Sequence, residues 1–271
     1  MMSDTIFPKG DLMKGKRGLV MGVANKNSIA WGIAQQLAAQ GAEMAFSYQG
    51  AVEKRVRPLV ESLGGDPFMV EADVTDDASM DACFQALEDK WGKIDFLVHA
   101  IAFAGKDELV GSFTENTTRE GWSRAMEISA FSFVDAGKRA SRLMTDGGSM
   151  ITLTYLGSER VVPSYNVMGV AKAALEASTR YMARDLGPSN IRVNALSAGP
   201  MRTLAMAGIS GGKGLMRTGR EWSMMKQDTQ MEGVAGAALY LLSSLGTSCT
   251  GETHHVDCGF HAVAVPSMDD E

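Results

Sequence analysis

From residue 18 to residue 256 the chain alternates short apolar runs with longer stretches in which apolar residues recur at helical spacing, and few architectures satisfy that alternation. The runs cover residues 18–23 (GLVMGV), 44–48, 67–74 (PFMVEADV), 94–102 (IDFLVHAIA), 149–155 (SMITLTY), 191–196 (IRVNAL) and a last one opening at 253–256. Helical patterns stand between them: from Ser28 with Ile29, Ile33 and Leu37, then 52–63, 78–91, 120–144, 165–186 and 231–242. Strands that are apolar throughout are buried on both faces, and helical crossovers between them impose parallel pairing. The spacing therefore predicts an α/β fold, a Rossmann-type doubly wound parallel sheet of about seven strands with helices on both faces. No repeat, linker or low-complexity tract interrupts it. The expectation is one domain over 1–271, with tails at 1–15 and 264–271.

At 271 residues, 45% hydrophobic and 21% charged, the chain is long and apolar enough to bury a core without disulfides or metals. Its three cysteines (Cys83, Cys249, Cys258) are scattered, which argues for a reducing compartment. A net charge of −6 argues against a nucleic-acid or anionic-membrane binder. No apolar run is long enough to span a bilayer, and residues 1–17 are too charged for a secretory signal. A cytoplasmic protein is expected, with no membrane partner.

Open α/β sheets bind ligands beyond the carboxyl ends of their strands, so function is sought in the loops that follow them. After the first strand stands Gly22-Val-Ala-Asn-Lys-Asn-Ser28-Ile29-Ala30-Trp-Gly32. Gly22 lets backbone approach a ligand, and Ser28 can cap a helix whose amide end suits a pyrophosphate. Gly32 inside the helix implies close packing of helix on strand. The loop is not G-x-G-x-x-G, and an ordinary capped turn explains it equally well. The second strand ends at Gln49, which can bond ribose hydroxyls but offers no positive charge to a 2′-phosphate; NADH is preferred over NADPH. Asp73 and Val74 follow the third strand, where an acid can meet an adenine amino group or cap the next helix, as Thr75 and Asp76 also can.

The strongest constellation is Thr154-Tyr155-Leu156-Gly157 followed by Tyr165-Asn166-Val167-Met168-Gly169-Val170-Ala171-Lys172. A phenol can donate a hydrogen bond to a carbonyl oxygen that becomes anionic during reaction, and a nearby ammonium favours that charge. Seven residues of helix turn through about 700° and rise about 10.5 Å, so Tyr165 and Lys172 share a face without touching. Lys172 is expected to hold a cofactor ribose and to act on Tyr165 through charge. A lone tyrosine–lysine pair is commonplace; it gains meaning only beside a dinucleotide-like first loop.

Taken together, GVANKNSIAWGIA (22–34), SYQG at Ser47, DV at Asp73, HAIAFA at His99, TREGW at Thr118, TYLG at Thr154, YNVMGVAK at Tyr165, IRVNALSAGPMRTLA (191–205) and GETHHVDCGF at Gly251 resemble the enoyl-acyl carrier protein reductases of the short-chain dehydrogenase/reductase superfamily, the type with Tyr-x6-Lys. Relatives acting on ketones or alcohols carry Tyr-x3-Lys and an Asn-Ala-Gly after the fourth strand. Here Gly169 and His99-Ala100-Ile101 stand instead. The resemblance implies NADH-dependent reduction of the trans-2 double bond of enoyl-acyl carrier protein thioesters in fatty-acid biosynthesis, by a homotetramer. It implies Tyr155, Tyr165 and Lys172 as catalytic; Gly22, Ser28, Ile29, Gln49, Asp73, Val74, Ile101, Lys172, Met201, Arg202, Thr203, Leu204 and Ala205 at the cofactor; and Ala104 at the substrate. Hydride would reach C3, Tyr165 would meet the enolate oxygen, and the share of Tyr155 in protonation is open. No metal site is expected: His254, His255 and Cys258 lack a fourth ligand and read as packing or subunit contact.

From 202 to 226 the chain carries Arg202, Lys213, Arg217, Arg220 and Lys226 against Glu221 alone, with Gly208, Gly211, Gly212, Gly214 and Gly219 and four methionines. This reads as a mobile basic lid suited to an acidic carrier protein, or equally as a solvated surface helix. Three positions depart from the family: 221–228 lacks the usual Ser-Pro and basic pair, Ala102 replaces glycine, and Ser164 replaces asparagine. Two other functions compete. A ketoreductase would consume NADH with ketoacyl but not crotonyl thioesters, and a dinucleotide sensor would bind NADH without turnover.

Overall fold

A computed structural model describes residues 7–65, 68–208 and 211–265. In chain order the elements are β1 (Arg17–Met21), α1 (Ile29–Ala39), β2 (Glu43–Tyr48), α2 (Glu53–Ser62), β3 (Phe68–Glu71), α3 (Asp77–Trp91), β4 (Phe96–His99), α4 (Phe113–Asn116), α5 (Arg119–Met126), α6 (Ser132–Leu143), β5 (Gly148–Thr154), α7 (Asn166–Leu186), β6 (Ile191–Ala198), α8 (Leu204–Ala207), α9 (Gly212–Trp222), α10 (Met231–Leu242) and β7 (Thr253–Val256). The seven strands form one parallel sheet in the order β3-β2-β1-β4-β5-β6-β7. The chain winds outward from β1 to β3 and then returns to place β4 on the other side of β1. The topological switch point therefore lies between β1 and β4.

The apolar runs divide between two cores by the period of two along a strand. Val20, Phe46, Val98, Ile151 and Leu196 face one side and pack with Ile33 and Leu37 of α1, Val56 and Val60 of α2, and Val234, Ala238 and Leu241 of α10. Leu19, Met21, Ala45, Leu97, Met150 and Val193 face the other, against Met80, Phe84 and Leu87 of α3, Phe133 and Ala140 of α6, and Leu175 of α7. Helices thus cover both faces, as the runs predict.

Four local expectations need correction. The 120–144 helix is broken: α5 passes through a π-turn at Glu127–Phe131 before α6, and hydrophobic periodicity is blind to one inserted residue. The strand expected over 191–196 continues to Ala198, because Ser197 and Ala198 still pair with Thr154 on β5 and Val256 on β7. Residues 7–15, expected within a tail, pack on α1: Phe7 and Met13 are buried, and Gln36 and Gln40 donate to the Pro8 carbonyl. Gly32 serves helix–helix rather than helix–strand packing, since a Cβ there would stand 2.2 Å from Met231 Sδ of α10. Residues 1–6 and 266–271 of the expected tails, Pro67 of the third run and 209–210 of the expected lid lie outside the described residues.

Candidate active site

The switch point is a place of close backbone approach. Gly22 has φ +99°, and a Cβ there would stand 2.1 Å from the Ala100 carbonyl oxygen, so only glycine fits. Ser28 does occupy the N-cap position of α1, but its side chain makes no cap bond. Its Oγ turns back and accepts from the amides of Ala24 and Asn25 at 3.0 and 3.1 Å, which folds the loop over itself. The amide end of α1 is therefore not closed by Ser28. Ile29 opens the helix, half-buried beside it.

At the ends of β2 and β3 the structure joins two candidate residues directly: Gln49 Nε2 donates to Asp73 Oδ2 at 2.8 Å. Asp73 Oδ1 accepts from the Thr75 amide and hydroxyl at 2.9 and 2.7 Å. These bonds, the Thr75 amide first, hold its carboxyl below the usual range. Capping of α3 falls to Asp76, whose Oδ1 accepts from the Ala78 amide. Glu71 accepts from the Gly50 amide, so a second carboxylate faces the end of β2. Val74 is half-buried against the α3 side of the core.

Across the switch point, the end of β5 carries Tyr155 against Tyr165, with ring centroids 5.1 Å apart at 74°. Tyr165 sits at the N-cap position of α7 rather than inside the helix. Leu109, Leu156, Met168 and Ala171 complete the buried cluster, with Ala104, Leu215 and Phe260 packed at its margin. A Cβ on Gly157 would reach 2.3 Å from the Tyr165 ring, so that glycine makes the seat for the phenol. Burial raises the proton affinity of both phenols well above the ordinary value, helped by Asp257 for Tyr155 and by Tyr155 and Glu176 for Tyr165. Both remain donors at neutral pH. The Tyr155 hydroxyl is buried with no hydrogen-bond partner among the described residues.

Lys172, also buried, donates from Nζ to the Leu153 carbonyl at 2.7 Å. Burial pushes it down to about 8 while Glu176 opposes that shift. Glu176 in turn accepts from the hydroxyls of Thr154 and Ser158, both at 2.5 Å. The ammonium acts on His99 as well as on what enters the site. His99 is buried and pushed down to about 3, by burial first and by Lys172 second. Its Nε2 stands 2.8 Å from Ser132 Oγ and its Nδ1 3.1 Å from Thr152 Oγ1. Ser132 already donates to the Ile128 carbonyl, so Nε2 carries the proton and Thr152 donates to Nδ1.

The loop after β4 carries Ile101 and Ala104, both half-buried, and is held by a residue of the π-turn. Ser129 Oγ accepts from the Phe103 amide at 2.9 Å and donates to the Phe103 carbonyl at 3.0 Å. Ala102 is exposed. Ser164 has φ +62°, a conformation asparagine adopts more easily than serine, which explains physically why that departure stands out. Beyond β6, Met201 is buried in the core, Thr203 caps α8 by accepting from the Met206 amide, and Arg202, Leu204 and Ala205 are exposed. Met201 packs in the α1–α10 core rather than in the tyrosine cluster. The basic segment folds as α8 and α9, and α9 sets Leu215 against the tyrosine cluster. His255 Nε2 donates to Glu159 Oε1 at 3.0 Å and its ring stacks on His261, His254 lies by Tyr240, and Cys258 Sγ meets the Asp228 carbonyl.

Residue types alone did not mark His99, Ser129 or Ser132 as part of this network. A histidine closing an apolar strand, and two serines three apart in a long amphipathic helix, were the available signals.

The enoyl-(acyl carrier protein) reductase family profile matches residues 22–261. Enoyl-[acyl-carrier-protein] reductase [NADH] 2 of Rhizobium meliloti (strain 1021) is 55% identical over 259 residues, 95% of this chain and 96% of the relative. Among solved structures, FabI from Candidatus Liberibacter asiaticus superposes with a TM-score of 0.92 at 51% identity, covering 95% of this chain and 100% of that one. The enoyl-(acyl-carrier-protein) reductase of Anaplasma phagocytophilum in complex with NAD gives 0.92 at 50% identity, covering 97% and 100%.

Proposed function

The chain belongs to the enoyl-(acyl carrier protein) reductase family, and from that premise we propose how its residues divide the work of an NADH-dependent oxidoreductase of fatty-acid biosynthesis. It reduces the trans-2 double bond of enoyl-acyl carrier protein thioesters. The observation that carries the assignment is the buried pair of phenols at the end of β5, one with an unpartnered hydroxyl, beside a backbone crevice at the switch point. Reduced nicotinamide, when bound, supplies the hydride delivered to C3 of the acyl chain.

Everything else falls to the protein. Gly22 clears room for the dinucleotide backbone, and Ser28 and Ile29 place the amide end of α1 toward its phosphates. Gln49, Asp73 and Val74 border the adenosine end. Two carboxylates, Asp73 and Glu71, face the end of β2, and a 2′-phosphate there would meet like charge, which favours NADH over NADPH. Ile101 and Lys172 flank the nicotinamide ribose, while Met201, Arg202, Thr203, Leu204 and Ala205 cover the cofactor from the β6 side. Ala104 borders the acyl chain. Tyr165 donates to the thioester oxygen and strengthens that bond as negative charge develops on it; Tyr155, its hydroxyl unpartnered, stands second in line at the same oxygen or at C2.

The whole chain acts as one catalytic domain with 202–226 as its lid, whose net basic charge receives an acidic carrier protein. We propose a homotetramer, supported by an outward groove lined by Met126, Ala130, Val134 and Ala174 in which Phe131 is 56% exposed. Among the described residues no helix is long and apolar enough to cross a membrane, and we place the enzyme in the cytoplasm.

The deciding experiment compares loss of NADH absorbance with crotonyl and ketoacyl thioesters side by side, in wild type and Tyr165→Phe. Crotonyl turnover is expected, falling on the order of a hundredfold or more in the variant with NADH affinity unchanged. Turnover of ketoacyl thioesters alone would establish a carbonyl reductase instead.

A further inference from the structure

Among the described residues, Tyr165 alone stands between two non-glycine residues in left-handed backbone, Ser164 at φ +62° and Asn166 at φ +42°. Such a conformation in L-residues persists where surrounding contacts impose it. At Asn166 side-chain contacts impose it. Its Nδ2 donates to the Glu108 carbonyl at 3.1 Å and to the Gly111 carbonyl at 3.3 Å. Both acceptors belong to the strap of residues 103–111 that follows β4.

That strap is itself tightly held. The buried Glu108 carboxylate accepts from the Gly105 amide at 3.2 Å and from Thr118 Oγ1 at 2.9 Å. It lies so close beneath α5 that a Cβ on Gly121 would stand 1.0 Å from Glu108 Oε1. Ser129 clamps the strap at Phe103, and Leu109 enters the tyrosine cluster. One amide therefore links a strap fixed at both ends to the residue next to the phenol.

We propose that Asn166 is a positioning residue of this reaction: by bonding the strap that carries Ala104 and Leu109 to the backbone beside Tyr165, it sets the phenol from the same segment that borders the acyl chain. The inference rests on Tyr165 as donor to the thioester oxygen. A hydrogen-bond donor moved by a fraction of an ångström loses most of its selective hold on a developing oxyanion. The Asn166 amide is engaged with the two strap carbonyls, so it acts through Tyr165.

Asn166→Gly tests this, because glycine keeps the left-handed backbone and removes only the amide. Turnover of crotonyl thioester should fall on the order of tenfold to a hundredfold, with KM and NADH affinity within about twofold of wild type. Asn166→Asp keeps the shape but turns the donor into an acceptor against two carbonyls, and should fall at least as far. In the double variant Tyr165→Phe/Asn166→Gly, turnover should equal that of Tyr165→Phe alone, a result that general loosening of the fold would not produce. The inference is overturned if Asn166→Gly turns over at the wild-type rate, or if the two substitutions multiply. If Tyr165→Phe itself leaves turnover intact, it is the assignment of Tyr165 that fails. If either Asn166 variant does not fold, the other supplies the comparison with Tyr165→Phe.

Discussion

The two sides of the switch point are built by different means. Toward β1–β3 the geometry is set by backbone and short polar side chains: Gly22 at φ +99° against the Ala100 carbonyl, Ser28 folded onto the amides of Ala24 and Asn25, Asp73 in a turn with Thr75. Toward β4–β6 it is set by side chains reaching between elements: Asn166 to the strap, Ser129 to Phe103, Thr154 and Ser158 to Glu176, Leu215 of α9 to the tyrosine cluster. On the assignment proposed above, the first is the cofactor side, a template whose shape depends on residue type at each position. The second is the acyl side, a mutual arrangement of strap, phenols and proposed lid, in which each part depends on the others.

The sharpest way to break the contrast is Gly22→Ala. A methyl group 2.1 Å from the Ala100 oxygen, on a backbone that L-residues rarely adopt, should cost several kcal/mol and remove NADH binding together with stability. Thermal unfolding and NADH titration on one sample check both. On the acyl side, Gly157→Ala should behave otherwise. Its new Cβ meets the Tyr165 ring at 2.3 Å, so the ring must move. Turnover should drop about a hundredfold while NADH affinity stays near wild type. Parallel loss of NADH affinity in Gly157→Ala would show that the two sides are not separable.

The same contrast explains what could be read before the fold was in hand. Alternation of apolar runs with helical patterns sufficed for the sheet, because burial on both faces leaves its mark on every strand. Gly22 was legible because only glycine tolerates that backbone, and Tyr165 and Lys172 because phenol and ammonium carry unmistakable chemistry. Ser28 was legible as a cap by type, yet its hydroxyl oxygen accepts from the loop instead, since two competing amide donors lie within four residues. Glu108, Ser129 and Asn166 gave little signal. Their partners lie 10, 26 and 58 residues away, and no local spacing encodes which distant carbonyl or hydroxyl a buried polar side chain will meet. The π-turn that aims Ser129 and Ser132 was hidden for the same reason.

Lys172 joins the two sides, and its predicted effects are opposite in sign for stability and activity. Burial pushes its pKa from the ordinary 10.5 down to about 8, so the buried ammonium opposes folding fully below pH 8. That penalty fades between pH 8 and 10.5, where the folded lysine is already neutral, and vanishes above. Lys172→Met should therefore raise the melting temperature at pH 7, by roughly 1–3 kcal/mol of added stability, while cofactor binding and turnover are lost. In wild type, turnover should decline as pH rises through about 8, as the ammonium beside the phenols is discharged. A melting temperature that falls in Lys172→Met would mean that the bond to the Leu153 carbonyl outweighs the burial of charge.

The smallest effect belongs to the lid, and it is clean because so little stability is tied up there. Arg217 stands 3.9 Å from Glu221 and Arg220 4.0 Å from Asp228, both pairs exposed, and pairs of this kind contribute at most about 1 kcal/mol. Replacing both arginines with glutamine should leave the melting temperature nearly unchanged. If the basic face of α9 receives an acidic carrier protein, KM for carrier-bound enoyl thioester should rise about three- to tenfold, and KM for the coenzyme A thioester should not. Raising ionic strength should erase the difference, because charges across an exposed interface are screened within about 8–10 Å. An equal rise for both thioesters would instead tie the arginines to seating Leu215 over the tyrosines, making the lid part of the acyl side's mutual arrangement rather than a landing surface of its own.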